Sequence, residues 1–189
     1  HMDMLCVGVE FAKATQQRPE DWRHLIHKLR GLYSGPLTYS ANWGQEFENL
    51  TFWDELDYIG LNCYYPLSQE ENPSDEVLRA AFGRVLKLAQ RVSEQYQKPL
   101  LFTEIGFTST PTPWKEPHKD RNGDPYQGEA QKRCYRIVME SLRGQPWCRG
   151  ILWWKYPSYL SQGGPGQTGF TPNGKPAEKE VKKGFGKLP

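Results

Sequence analysis

Two glutamates stand where apolar runs end. "MLCVGVE" (4–10) closes on Glu10, and "PLLFTEIG" (99–106) carries Glu104 two residues before a glycine. Similar strand-like runs end on an amide and on aromatics: Asn42 and Trp43 after 37–41, Tyr64 and Tyr65 after 58–63, Trp153 and Trp154 at the end of "GILWW". Two facing carboxylates, one protonated to give a proton to a leaving oxygen and one ionised to attack or to activate water, are what glycoside hydrolysis requires. Burial and mutual repulsion are the means by which such a pair is split in acidity. Trp and Tyr offer flat faces with one polar handle, suited to the apolar C–H face of a sugar ring, and an amide can bond a hydroxyl. Core packing is the competing use of the same aromatics, and a solvated strand end is the competing reading of either glutamate alone.

The elements that must position these groups alternate along the chain. Strands are expected at 4–10, 35–43, 57–66, 99–106 and 150–157. Helices are expected at 19–33, opened by Pro19 with Glu20 and Asp21 behind it, at 74–97 with Ser74 as N-cap, at 128–144 and at 177–185. Trp22, Leu25, Ile26, Leu29 and Leu32 form the apolar stripe of the first helix; Val77, Ala81, Val85, Leu88 and Val92 form that of the longest. A short helical turn falls at 52–56. The stretches 108–126 and 161–176 read as long loops. Strand–helix alternation with long crossovers means parallel strands with helices outside, either an open doubly wound sheet or part of a (β/α)8 barrel. The first strand is followed by "FAKAT" and not by a glycine-rich phosphate loop, and the carboxylates at the strand ends favour the barrel, whose C-terminal face carries its active site.

The bulk composition excludes several classes. The chain has 189 residues, 37% of them hydrophobic and 24% charged, enough for one domain with a real core. The net charge is +2 and the basic residues are scattered among acidic ones, so no nucleic-acid partner is expected. No stretch is long and apolar enough to suggest a membrane span. Cys6, Cys63, Cys134 and Cys148 form no C-x-x-C pair and read as buried free thiols, and His24 and His27 read as helix surface, so neither a metal site nor a cofactor is expected. His1 and Met2 read as an expression-tag remnant, leaving a single domain over 3–189. No signal peptide is visible, and the compartment is left open.

The stretches "LTYSANW", "FWDELDYIGLNCYYPL" and "KPLLFTEIGF" together resemble glycoside hydrolase family 113, the β-mannanase-like enzymes of clan A, and "RGILWWKY" with "GFTPNGKPAEKEV" is similar to the last strand and helix of such barrels. The resemblance implies that Glu10 is the acid/base and Glu104 the nucleophile of a retaining mechanism, with their carboxyl groups about 5–5.5 Å apart. It implies that Tyr64 or Tyr65 bonds the nucleophile, that Trp154 or its neighbour Trp153 stacks on the sugar, and that Asn42 and Trp43 line the cleft. Two departures accompany it. The residue before the acid/base is usually polar in this clan, and here it is Val9. The chain also begins at what would be the fourth strand of a barrel that takes roughly 250 residues. The expectation is therefore a partial barrel of five strand–helix units whose open sides are covered by a second copy in a homodimer. Its function is hydrolysis of β-mannan-type oligosaccharides. The alternative is a catalytically impaired remnant that binds sugar weakly or serves as an oligomeric structural module.

Overall fold

Apolar runs flanked by parallel neighbours on both sides are buried along their whole length. In the computed structural model, which describes residues 2–121 and 123–186, this holds for β2 (Leu37–Asn42) and β3 (Tyr58–Cys63), each buried at all positions but one. The sheet has five strands in the order β1 (Leu5–Val9), β2, β3, β4 (Leu100–Ile105), β5 (Cys148–Trp153). β1 runs parallel to β2, and β2 to β3. Ile59 N–H donates to Pro99 O near the starts of β3 and β4. Leu100 N–H donates to Trp147 O where β4 and β5 begin. Starts therefore lie beside starts throughout, and every strand points the same way. His1 of the expected tag and residues 122 and 187–189 lie outside the described residues.

The outer strands differ from the inner ones. β1 and β5 have a neighbour on one side only, and neither has a fully buried residue. This corrects part of the cysteine expectation. Cys63 and Cys134 are buried thiols in no disulfide, but Cys6, on the β1 edge, is exposed, and Cys148, on β5, is half-buried. β5 also begins and ends earlier than the spacing predicts, because the chain leaves the sheet after Trp153.

Contacts divide the chain into two compact units. The first comprises the residues up to Cys63, Leu88–Glu104 and Pro146–Leu152. Its core is aromatic. Helix α2 (Pro19–Arg30) follows a short helix α1 (Ala12–Gln17) that the apolar spacing did not signal. α2 lays Trp22 edge-on to Tyr39 and parallel to Phe52, with centroids 5.2 and 5.8 Å away. Such pairs add about 0.5–1.5 kcal/mol beyond the area they bury. Gly8 of β1 makes this possible, since a Cβ there would lie 2.8 Å from the Trp22 ring. Of the predicted stripe, Ile26 is fully buried while Leu25 and Leu32 are exposed. Leu32 lies beyond the helix end. Arg23 ties α2 to the turn before β3, donating to Glu55, Asp54 and Thr51 O at 2.7–2.9 Å. His27 bonds Glu55 at 3.0 Å.

The second unit comprises Tyr64–Lys87, Ile105–Gln145 and Trp153 onward. The segment after β4 is not a free loop at its start. Ser109 N–H donates to Thr168 O and Ser109 O accepts from Gln127 N–H. Gln131, on α5 (Gly128–Leu142), donates to Phe107 O and Phe170 O, each at 2.9 Å. The buried Lys175 ammonium donates to Ser109 Oγ, Gln167 Oε1 and Gly169 O, which joins both expected loops. The chain ends in helix α6 (Pro176–Phe185). The longest helix, α4 (Asp75–Tyr96), begins in this unit, and Ser74 Oγ accepts from Val77 N–H as an N-cap. Its buried apolar residues are Leu78, Ala81, Phe82, Val85, Leu86, Ala89 and Val92. Ala81, Val85 and Val92 of the predicted stripe are among them, Leu88 is half-buried and Val77 is exposed.

Asp75, in the first turn of α4, pairs with both Arg133 and Arg136 of α5. The two guanidiniums hold its carboxyl below the usual carboxylate range. A depressed folded value contributes stability that is present above the unfolded value near 3.9 and is lost as pH falls through the folded one. In urea titrations Asp75→Asn is expected to be less stable than the parent at pH 6. The two curves should converge as pH falls through the depressed folded value, where the parent's carboxylate becomes protonated. A gap unchanged by acid contradicts this account of the pair.

Candidate active site

The C-terminal end of β1 is built to present Glu10. Cys6 lies opposite Thr38 but Val9 opposite Ser40, so β1 carries one extra residue in that interval. A bulge of this kind re-aims the residues that follow it. Glu10 itself has φ 53°, in the left-handed region that side chains other than glycine rarely adopt. Its N–H donates to Ser40 O at 2.9 Å. The side chain is exposed.

Asn62, one residue before the end of β3, reaches that carboxylate. Its Nδ2 donates to Glu10 Oε1 at 2.9 Å, although Asn62 itself has no exposed surface. Its Oδ1 lies 2.6 Å from the Ser40 hydroxyl and 2.9 Å from that of Thr103, and the two hydroxyls are 2.7 Å apart. One residue from each of β2, β3 and β4 thus forms a polar layer whose outward donor points at Glu10. Buried polar groups satisfied in this way fix one geometry. Thr103 directly precedes Glu104, which is half-buried at the penultimate position of β4. The layer therefore links the end of β1 to the end of β4. Asn62 was not among the residues expected from the sequence. Its position inside a strand-like run, where a buried amide needs a partner, was the available signal.

Asn42 ends β2 and Trp43 follows it, both half-buried; Asn42 N–H donates to Glu46 Oε2 at 2.7 Å. These residues, Glu10 and Glu104 belong to the first unit. Tyr64, Tyr65, Trp153 and Trp154 belong to the second. Tyr64 is buried and Tyr65 half-buried. The two tryptophans have different surroundings. Trp153 stacks on Tyr135 of α5, centroids 3.8 Å apart and planes at 11°, so one of its faces is already covered. Trp154 is 41% exposed and carries Lys155 Nζ 5.9 Å from its ring centroid. Its N–H donates to Ile105 O, and the Trp154–Lys155 peptide is cis. Gly106 is required here, since a Cβ would come within 2.1 Å of Trp154 O. Among the described residues, no group of three His, Cys, Asp or Glu side chains could hold a metal ion.

A parallel sheet with helical crossovers, carrying carboxylates at the C-terminal ends of its strands, has the architecture of the (β/α)8 barrel proteins, here as five units in an open sheet. The sequence matches the model of Glycoside Hydrolase Family 113 over residues 1–175, and the chain belongs to that family. It is similar in structure to the GH113 β-mannanase of Alicyclobacillus acidocaldarius, solved in complex with ManMIm: identity is 27%, TM-score 0.82, with 97% of this chain and 55% of that one covered. A GH113 β-1,4-mannanase matches at 27% identity and TM-score 0.83 over 98% of this chain and 56% of its own. The chain thus spans a little over half the length of these relatives. The β-D-glucuronidase of Dictyoglomus thermophilum, at 18% identity and TM-score 0.71 over 98% of this chain and 32% of that one, shares the fold. No curated protein matches.

Replacing Asn62 by Leu removes the acceptor shared by the buried Ser40 hydroxyl and the half-buried Thr103 hydroxyl. The expected cost is about 1–3 kcal/mol in urea unfolding. An unchanged midpoint would mean that the layer contributes nothing to stability.

Proposed function

We propose that this chain is the catalytic portion of a retaining glycoside hydrolase acting on β-mannan-type oligosaccharides. The observation that carries the reading is the carboxylate of Glu10, held by Asn62 at the end of β1, with Glu104 at the end of β4 in a family 113 chain. The two family relatives are a β-mannanase and a β-1,4-mannanase, which supports the substrate class.

In this mechanism the Glu104 carboxylate attacks the anomeric carbon. The bond from that carbon to the leaving oxygen breaks, and Glu10 gives the oxygen its proton. A glycosyl ester on Glu104 results. Water then attacks the same carbon, Glu10 takes the water's proton, and the ester bond to Glu104 breaks. Both steps invert the carbon, so configuration is retained overall. Tyr64 or Tyr65 orients the nucleophile, Trp154 is the sugar platform, and Asn42 and Trp43 line the substrate cleft. The face of Trp153 covered by Tyr135 supports assigning the platform to its neighbour. Val9 supports a second reading, an impaired remnant that binds sugar with little turnover. Its side chain is 47% exposed at the position where clan members usually carry a polar residue that bonds the sugar. A contact that strengthens in the transition state is lost from kcat as well as from binding. The half-exposed strands β1 and β5 present edges that invite pairing, and a second copy of the chain covers them in a dimer.

The test is hydrolysis of β-1,4-manno-oligosaccharides, with cello- and xylo-oligosaccharides as controls, on fractions sized by light scattering. The expected result is manno-specific turnover in a dimeric fraction that falls about a thousandfold or more in Glu104→Ala. Binding without turnover establishes the remnant reading, turnover unchanged in Glu104→Ala removes the nucleophile assignment, and activity in a monomeric fraction removes the dimer.

A further inference from the structure

One buried carboxylate has no place in the mechanism above. Glu46, on the short helix α3 (Gln45–Asn49) after β2, is 3% exposed. Its two oxygens accept three hydrogen bonds: from the Tyr39 hydroxyl at 2.7 Å and the Thr15 hydroxyl at 2.8 Å on Oε1, and from Asn42 N–H at 2.7 Å on Oε2. A carboxylate so enclosed does not meet substrate. Tyr39 connects it to Glu10. The Tyr39 hydroxyl accepts from Phe11 N–H at 2.7 Å, so its single proton is directed to Glu46. Burial first, and then the Glu46 carboxylate, push the Tyr39 hydroxyl well up, so it keeps that proton.

The consequence falls on the backbone of Glu10. Its left-handed φ is unfavourable for a side chain that is not glycine. The amides on either side of its Cα are both pinned, Glu10 N–H to Ser40 O and Phe11 N–H to Tyr39 Oη. Both anchors are on β2, and the second is held by Glu46. Through Asn42 N–H, Glu46 also fixes the end of β2.

We propose that Tyr39 and Glu46 form a positioning pair that holds Glu10 in its left-handed turn and so aims its carboxyl group for proton transfer. This deepens the function proposed above and rests on Glu10 being the acid/base. Tyr39→Phe keeps the ring, and with it the packing against Trp22 and Phe52, while removing the acceptor of Phe11 N–H. Glu46→Gln cannot replace the carboxylate, because its –NH2 must face either the Asn42 N–H or the two hydroxyls whose protons point inward.

Misplacing a general acid hurts a substrate whose leaving oxygen needs a proton and spares one whose leaving group does not. The experiment compares parent, Tyr39→Phe and Glu46→Gln on mannotriose and on a 2,4-dinitrophenyl β-mannoside. NMR on the same folded samples follows hydrogen exchange at Phe11 and the side-chain amide signal of Asn62, which reports the Glu10 contact. Expected are a fall of tenfold or more in kcat/KM for mannotriose, a change within twofold for the activated mannoside, faster exchange at Phe11, and a shifted Asn62 signal. Equal losses on both substrates overturn the proposal. So do unchanged Phe11 exchange and an unmoved Asn62 signal, and these two readouts decide it even where the parent turns over neither sugar. An inactive parent counts against the proposed function and not against the positioning pair.

Discussion

Asn62 holds its carbonyl oxygen against the buried Ser40 hydroxyl and the half-buried Thr103 hydroxyl, and its –NH2 against a carboxylate. Turned over, it would set oxygen against oxygen at Glu10. In the observed orientation each of these polar atoms has a complementary partner. Because the three residues of the layer come from three adjacent strands, sheet register places the donor that meets Glu10. The register between β2 and β3 runs unbroken from Thr38 opposite Tyr58 to Asn42 opposite Asn62. A slip of one residue would turn Asn62 away from the layer. The site and the sheet are therefore one structure, with the helices supplying the burial that makes an unsatisfied amide costly.

The outer strands impose the opposite condition. β1 carries the candidate acid/base and is at the same time a sheet edge. A lone edge strand is free to fray, and the left-handed residue after it adds strain. The structure answers with backbone anchors to β2 and with the aromatic cluster of Trp22, Tyr39 and Phe52 beside Gly8. Tyr39 serves both purposes: its ring is in the core and its hydroxyl is on the turn that carries Glu10.

Much of this was legible in the sequence because burial and periodicity are local signals. The five strands, the four main helices and the Ser74 cap follow from apolar spacing and end residues, and the family resemblance rests on motifs that the comparisons bear out. The helices at Ala12–Gln17 and Gln45–Asn49 were not legible, since each is shorter than two turns and lacks a full apolar stripe. At the start of α4 Val77 and Leu78 are equally apolar, and only the packing decides that Leu78 is the buried one. Glu10 and Glu104 stood out as charges ending apolar runs. Asn62, Tyr39 and Glu46 did not, because their roles depend mainly on contacts with residues distant in the sequence, up to 52 positions away.

The assignment of Glu104 as nucleophile is tested most directly by trapping the glycosyl-enzyme. Incubation with a 2-deoxy-2-fluoro-β-mannosyl fluoride, followed by proteolysis and mass spectrometry, reads which residue bears the sugar. The account predicts one added fluoromannosyl group, on the peptide containing Glu104 and on that carboxyl. Label on another residue, or none in a preparation that hydrolyses mannan, would contradict it.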